Sequence, residues 1–357
     1  MDFTWSEEQQ AIRELSEEVL ASSLRDSDYT GDRFAAHAYA ELARTELLSV
    51  GLAADHGGMG LGCVELLLLL RQAARHAAPL PLLETVVMAA PLLQELGDPS
   101  TNDSMLRSIG SGETLITLAL HEQGGSAFRA PSCRAEQRGD HWLLTGEKIA
   151  VPYVDRAQGL IVLSGTPQGP GLFLAGGCGA TRQTGTDDAP LWSLRFEQTP
   201  AQLLSLDPAV LERFERRLQL AYCATLVGLS ESALDLTATY LKERQQFGVP
   251  IGSFQAVSQR AADAFIALET MRVTLWRAAW LEQADRPSAA AVASARYVCA
   301  EGAHQVVSAA QHLHGGMGFD RDYPLHRYFL GVKRIEFLEG GASAQLQNLG
   351  DLIAEEL

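Results

Sequence analysis

The sequence predicts a multidomain α and β protein: an all-α domain over residues 1–112, a central β-barrel or sandwich over 113–207, and a four-helix bundle over 208–357. Three observations carry this prediction. Apolar residues recur at helical spacing at both ends of the chain. Between them, short apolar stretches are separated by glycine-rich turns, as in a compact antiparallel barrel or sandwich. After Pro208, long helical patterns follow one another across short glycine or proline breaks, the habit of antiparallel bundled helices.

The elements follow in order. Ser6 and Gln9 form a capping box that opens a helix, and Ile12, Leu15, Val19 and Leu20 continue it at helical spacing. A second helix runs from about Ala36 to Val50 and stops at Gly51. After the glycine-rich loop from Ala53 to Gly62 comes a helix whose Leu66–Leu70 run is apolar most of the way round, so it is expected to be buried. Pro79 and Pro81 break it, and Glu84 to Leu96 forms another. Strands are expected at Leu115–Leu120, His141–Leu144, Leu160–Leu163, Leu172–Ala175 and Leu191–Phe196, with a turn at Thr145-Gly146-Glu147. The bundle then comprises Val210–Arg244, Phe254–Ala284, an alanine-rich helix Ser288–Leu313, Leu325–Phe337 and Ser343–Leu357.

Composition narrows the function. Apolar residues make up 46% of the chain and charged residues 20%, which marks a globular protein. With 44 acidic and 28 basic residues the formal charge is −16. A field of that sign disfavours nucleic acid or an anionic membrane as the principal partner. The five cysteines are scattered, with no C-x-x-C pair, so free thiols in a reducing compartment and no metal site are expected. The first eight residues have no apolar run of signal-peptide type, and the apolar stretch from Ala77 to Leu93 is broken by three prolines and Glu84. A cytoplasmic location is expected.

The C-terminal half carries specific motifs. Glu243-Arg244-Gln245-Gln246-Phe247-Gly248, continued by Ile251 and Gln255, resembles the acyl-CoA dehydrogenase segment E-R-x-x-F-G-x-x-I-x-x-x-Q. Gln311-His312-Leu313-His314-Gly315-Gly316-Met317-Gly318-Phe319, followed by Tyr323-Pro324, resembles that family's Q-x-x-G-G-x-G-F-x-x-x-Y-P segment, with one extra residue before the glycines. Gly139 to Lys148 is similar to its G-D-x-x-x-x-x-G-x-K hairpin, and Glu7-Glu8-Gln9 and His56 to Gly62 also match. The sequence is therefore identified as a member of the acyl-CoA dehydrogenase family over essentially its whole length. The resemblance implies the acyl-CoA dehydrogenase fold, FAD as cofactor, an acyl-CoA substrate, an electron-transfer flavoprotein as partner, and a dimer of dimers, homo- or heterotetrameric. In the family the arginine and phenylalanine reach the FAD of a neighbouring subunit, so Arg244 and Phe247 take that role by resemblance. Gly315 and Gly316, lacking Cβ, would let the dinucleotide approach the backbone, although they also suit a helix C-cap. Gln311 or His312 would supply a polar contact, and Gln255 would face the interface from the start of its helix.

The family reaction is α,β-desaturation of the thioester. A carboxylate removes the α-proton, and the thioester carbonyl is polarised by the base's own backbone N–H and by a ribityl hydroxyl of FAD. The corresponding carboxylate is Glu339, in Phe337-Leu338-Glu339-Gly340-Gly341, where glycines suit a tight interhelix turn; the alternative is an exposed loop glutamate. Gln345 keeps its motif place, but Gly341 replaces a threonine. This ending is similar to the small subunits of heterotetrameric enzymes that desaturate steroid side-chain CoA esters, which commonly lack the base. Other departures lie in the barrel. Ala150 and Pro152 stand where the family has Trp-x-Thr, and Leu120 replaces a flavin-bonding threonine, while Gly125-Ser126 keeps a G-S pattern, with Ser126 either a flavin contact or a turn serine. Two readings stay open on these residues: a dehydrogenase for a bulky acyl-CoA with Glu339 as base, or a non-catalytic subunit lending FAD contacts to its partner. A flavin-binding relative that is not a dehydrogenase is a remote third.

Overall fold

In a computed structural model, residues 4–96, 99–124 and 128–355 are described. They form two units. One comprises residues 14–66 and 79–218, the other residues 1–13, 67–78 and 219–357.

The capping box forms as the sequence predicts. The Ser6 N–H donates to Gln9 Oε1 at 3.1 Å and the Gln9 N–H donates to Ser6 Oγ at 3.2 Å, opening α1 (Glu7–Ser23). Helix α2 (Ala36–Arg44) ends in a tight turn over Leu47–Ser49. Helix α3 (Cys63–Arg75) buries the whole Leu66–Leu70 run. After the prolines, Leu82–Ala89 winds as wide π-type turns, with the Ala90 N–H reaching back five residues to Thr85 O, before α4 (Ala90–Leu96). A further helix, α5 (Pro99–Gly110), was not anticipated.

The central strands are β1 (Ile116–Ala119), β2 (Arg134–Arg138), β3 (His141–Pro152), β4 (Gly159–Thr166), β5 (Gly169–Ala175), β6 (Gly179–Thr184) and β7 (Pro190–Ser205). Pairings β4–β5, β5–β7, β7–β3, β3–β2 and β2–β4 close a ring, which makes this a barrel. Strand β1 adds to β4 and β6 adds to β7, and the β1–β4 and β2–β4 pairings are parallel. Alternate residues fill the interior, among them Leu144, Val162, Leu194 and Phe196, with Trp142 and Phe173 rings 5.3 Å apart.

The expected turn at Thr145-Gly146-Glu147 is corrected: the segment runs through β3, paired with Arg195–Glu197, and the chain reverses at Gly139-Asp140 instead. Gly146 has φ +139, and a Cβ there would lie 2.7 Å from the Cys133 Cα. The glycine is needed for close strand approach at a bulge, where β3 shifts register against β7 after Leu144.

In the other unit α6 (Pro208–Glu243) leads into a two-stranded hairpin, β8 (Gln245–Gln246) and β9 (Val249–Pro250). Then come α7 (Gln255–Gln283), α8 (Ala289–His314), α9 (Leu325–Glu336) and α10 (Gly341–Glu355). Helix α8 packs against α7, α9 and α10, and its inward face is mostly alanine and valine, which lets neighbouring helices come close. An ionic cluster ties α3 to α6 and α7. The buried Glu231 carboxylate accepts from Arg71 at 2.7 Å, Arg75 at 3.2 Å and Arg272 at 2.6 Å.

Candidate active site

The motif residues of the bundle gather at two ends of α8. At the first, α6 stops with the Arg244 N–H still bonded to Tyr240 O at 2.8 Å, and Arg244 O accepts from the Ile251 N–H at 2.8 Å. This staples the base of the β8–β9 hairpin. Its tip, Phe247-Gly248, has φ +55 and +80, the two left-handed positions of a type I′ turn. Glycine accepts that conformation readily and phenylalanine does not, so the turn holds Phe247 out at a backbone cost of about 1 kcal/mol. The residue is 93% exposed, with the Phe254 ring edge-on to it at 6.2 Å between centroids. Arg244 and Gln255 are exposed on the same segment.

The end of α8 lies against the end of α6. His314 is buried and stacks on Tyr240 with ring centroids 4.5 Å apart. Its Nδ1–H donates to Ala310 O at 2.8 Å and its Nε2 accepts from the Tyr323 hydroxyl at 3.1 Å, an arrangement that fixes one neutral tautomer. Burial pushes the His314 pKa below the usual imidazole value, only partly offset by the Ala310 carbonyl. The Tyr240–His314–Tyr323 cluster thus clamps the arginine hairpin to the glycine turn. Sequence reading treated His314 as a motif residue without a role, although it is the aromatic clamp itself. Beyond it Gly315 and Gly316 are exposed, Gly315 at φ +58, and a Cβ on either would meet no atom within 4 Å. The Gln311 amide bends back toward Gly318 O at 3.5 Å, whereas His312 is exposed.

Glu339 belongs to the other end. Leu338 to Gly341 make a reverse turn in which the Gly341 N–H donates to Leu338 O. Glu339 (φ 53, ψ 37) and Gly340 (φ 79) take its two left-handed positions. A non-glycine residue held there stores strain on the order of 1 kcal/mol, which is characteristic of functional turns. Glu339 is half-buried, and Gln345 is buried about one turn into α10. The turn rests on Arg296 of α8, whose wholly buried guanidinium donates to Ile335 O at 2.8 Å and Leu338 O at 3.2 Å. Arg296 and His314 are 18 residues apart on one helix, hence about 27 Å. The structure therefore separates Glu339 and Gln345 from Arg244, Phe247 and the glycines.

In the other unit, Lys148 of the hairpin motif is wholly buried and pairs with Glu122 at 2.6 Å. Burial alone would raise the Glu122 carboxyl pKa, but the Lys148 ammonium and the Cys133 and Ser132 amides outweigh it and hold it low. Ala150, at φ +54, sits in a second bulge of β3, and Pro152 O accepts from the Thr117 hydroxyl at 2.7 Å. Leu120 is buried. No aromatic wall or free hydroxyl stands at these three positions. Gly125 and Ser126 lie outside the described residues.

Arg244 offers an exposed cation, and Gly315 and Gly316 offer exposed backbone with open space where a Cβ would stand, the two chemical features that phosphate binding uses. Among the described residues no group of His, Cys, Asp and Glu could hold a metal ion, and all five cysteines are free thiols. No helix there is long and apolar enough to cross a membrane.

A helical region, a barrel and a C-terminal helical bundle succeed one another along the chain, the order of the acyl-CoA dehydrogenase fold, and comparison with known proteins gives the same answer. Residues 6–113 match the family model "Acyl-CoA dehydrogenase, N-terminal domain" and residues 213–353 match "Acyl-CoA dehydrogenase, C-terminal domain". The chain is 33% identical to acyl-CoA dehydrogenase FadE27 of Mycobacterium tuberculosis over 99% of both chains. It superposes on a Tcur3481-Tcur3483 steroid ACAD variant with a TM-score of 0.93 and 40% identity, covering 98% of each chain. The ChsE4-ChsE5 complex of Mycobacterium tuberculosis gives a TM-score of 0.93 and 32% identity over 99% of each.

The chain belongs to the acyl-CoA dehydrogenase family. It is an acyl-CoA dehydrogenase or a subunit of one.

Proposed function

We propose that this chain is a subunit of a tetrameric, FAD-dependent dehydrogenase that desaturates a bulky, steroid-type acyl-CoA at the α,β bond. One observation carries the reading: the Arg244–Pro250 hairpin presents a cation and a 93% exposed phenylalanine on a rigid left-handed turn. Covering that ring with the surface of another molecule would remove its large apolar face from water, a favourable gain on assembly. The neighbouring chain's cofactor site supplies that surface, with Gly315, Gly316 and His312 or Gln311 completing the contact and Gln255 at its edge. FAD supplies the hydride acceptor when bound.

At the opposite end of α8, Glu339 removes the substrate α-proton. The residue is half-buried on a strained turn. Gln345, buried in α10, keeps the motif place that the family resemblance assigns to cofactor binding. The bulky acyl class is supported by the likeness to the Tcur3481-Tcur3483 steroid ACAD, and the two-component make-up of that protein and of the ChsE4-ChsE5 complex favours a heteromeric assembly. Electrons pass on to an electron-transfer flavoprotein.

Ala150, Pro152 and Leu120 favour a second reading, in which this subunit lends contacts to its partner's FAD and performs no chemistry of its own. Glu339→Gln in the co-purified assembly separates the two. The first reading expects flavin retained, the acyl-CoA bound, and flavin reduction slowed by at least about a hundredfold; unchanged turnover supports the second. Loss of flavin on Arg244→Glu supports both, and full retention would sink the shared premise.

A further inference from the structure

Arg296 is a wholly buried cation whose partners, among the described residues, include no carboxylate. Its Nε donates to Gln219 Oε1 at 3.1 Å, its Nη2 to the Ile335 and Leu338 carbonyls, and its centre stands 5.5 Å from the Tyr222 ring. Its Nη1 has no hydrogen-bond partner among the described residues. A charge buried among neutral dipoles is costly, and a neutral donor could satisfy two carbonyls at a helix end without that cost. What the charge adds is a field along the one peptide it touches next to Glu339.

That peptide has a defined direction. Peptide bonds here are trans, so the N–H of the Leu338–Glu339 unit points opposite to its C=O. The C=O faces Arg296 and the Gly341 N–H, both of which donate to it. The Glu339 N–H is therefore directed away from the buried arginine, and electron withdrawal at the oxygen makes it a stronger donor.

We propose that Arg296 is a positioning residue that orients and polarises the Leu338–Glu339 peptide, so that the Glu339 N–H donates a strengthened hydrogen bond to the thioester carbonyl of the bound acyl-CoA. This deepens the reading of Glu339 above and rests on it. A firmer bond to the carbonyl oxygen stabilises the enolate-like charge that develops as the α-proton leaves for the Glu339 carboxylate.

The test uses the co-purified assembly and a steroid side-chain acyl-CoA labelled with carbon-13 at the thioester carbonyl. In the Glu339→Gln background, infrared difference spectra report the carbonyl stretch without turnover. Adding Arg296→Met is expected to move that band toward its position in free thioester, and Arg296→Lys to restore most of the shift. With Glu339 intact, Arg296→Met is expected to lower the limiting rate of flavin reduction about 10- to 100-fold with KM within about threefold, and Arg296→Lys to recover it. Arg296→Gln, a neutral donor, replaces the methionine variant if that one does not fold, with the same expected band movement. A band that stays in place in a folded assembly, or a limiting rate unchanged by loss of the charge, overturns the proposal. Turnover that survives Glu339→Gln removes the underlying reading, whereas an inactive Glu339→Gln with an unmoved band removes only the role of Arg296.

Discussion

Replacing Glu231 by glutamine tests the ionic cluster that ties α3 to the bundle. The carboxylate is 0% exposed and serves three arginines that are 13%, 26% and 29% exposed. Glutamine preserves volume but leaves three guanidinium groups facing a neutral amide. Removing one partner of a buried ion pair costs about 3–5 kcal/mol. Because the arginines reach solvent and can rehydrate, the lower end applies, about 3 kcal/mol. In a unit of this size each kcal/mol moves Tm by about 2–4 °C, so a fall on the order of 10 °C is expected. The pH dependence gives an independent check. Burial works to raise the Glu231 carboxyl pKa, but the Arg71 and Arg272 guanidiniums outweigh it and hold it below the ordinary value of 4.5. With the folded pKa depressed, the stabilisation is complete above that ordinary value and is lost as pH falls through the folded one. The Tm gap between the native chain and Glu231→Gln should therefore be constant near neutrality and narrow in acid. Calorimetric melts from pH 3 to 8 measure it, and a fall under about 2 °C at pH 7, or a gap that widens in acid, refutes the reasoning.

Further predictions concern other parts of the chain. Gly146→Ala should destabilise the barrel by about 2–4 kcal/mol in urea titrations, combining left-handed strain with overpacking against Cys133; a loss under 1 kcal/mol would show that β2 and β3 can separate cheaply. Phe247→Ser should change the chain's own unfolding free energy by less than about 0.5 kcal/mol while lowering flavin content and tetramer yield. Equal flavin and assembly would leave its exposure unexplained. Burial depresses the His314 pKa below the ordinary 6.5, so its contribution is complete above that value and falls as the solution is acidified through the folded one; His314→Gln should flatten the loss of stability below about pH 6.5, and an unchanged slope would argue against a buried neutral imidazole.

Much of the fold was legible because burial imposes a period. Helix α1 opens at its expected capping box, α7 and α8 lie within a few residues of their expected bounds, and the Leu66–Leu70 run is buried as its apolarity requires. Strands β2 and β6 were missed for the converse reason: Arg134–Arg138 has one buried residue and Gly179–Thr184 none, so ladder bonds alone hold them. Helix α5 begins Pro-Ser-Thr-Asn-Asp-Ser, a polar run that reads as loop. In the site, Glu339-Gly340 read correctly as a tight turn because glycine marks left-handed backbone. Arg296 and His314 did not stand out: a polar residue in an alanine-rich helix gives no sign, from spacing alone, of whether it faces a neighbour or water.

The length of α8 has an evolutionary consequence. Substitutions more than about 10 Å apart contribute independently, and the helix separates Arg296 from His314 by more than twice that distance. Mutation can erode one terminus while the other keeps its full value, and a gene copy freed from one duty still folds around the same rod. Duplication followed by division of labour between sister chains needs no new architecture, only decay at opposite poles.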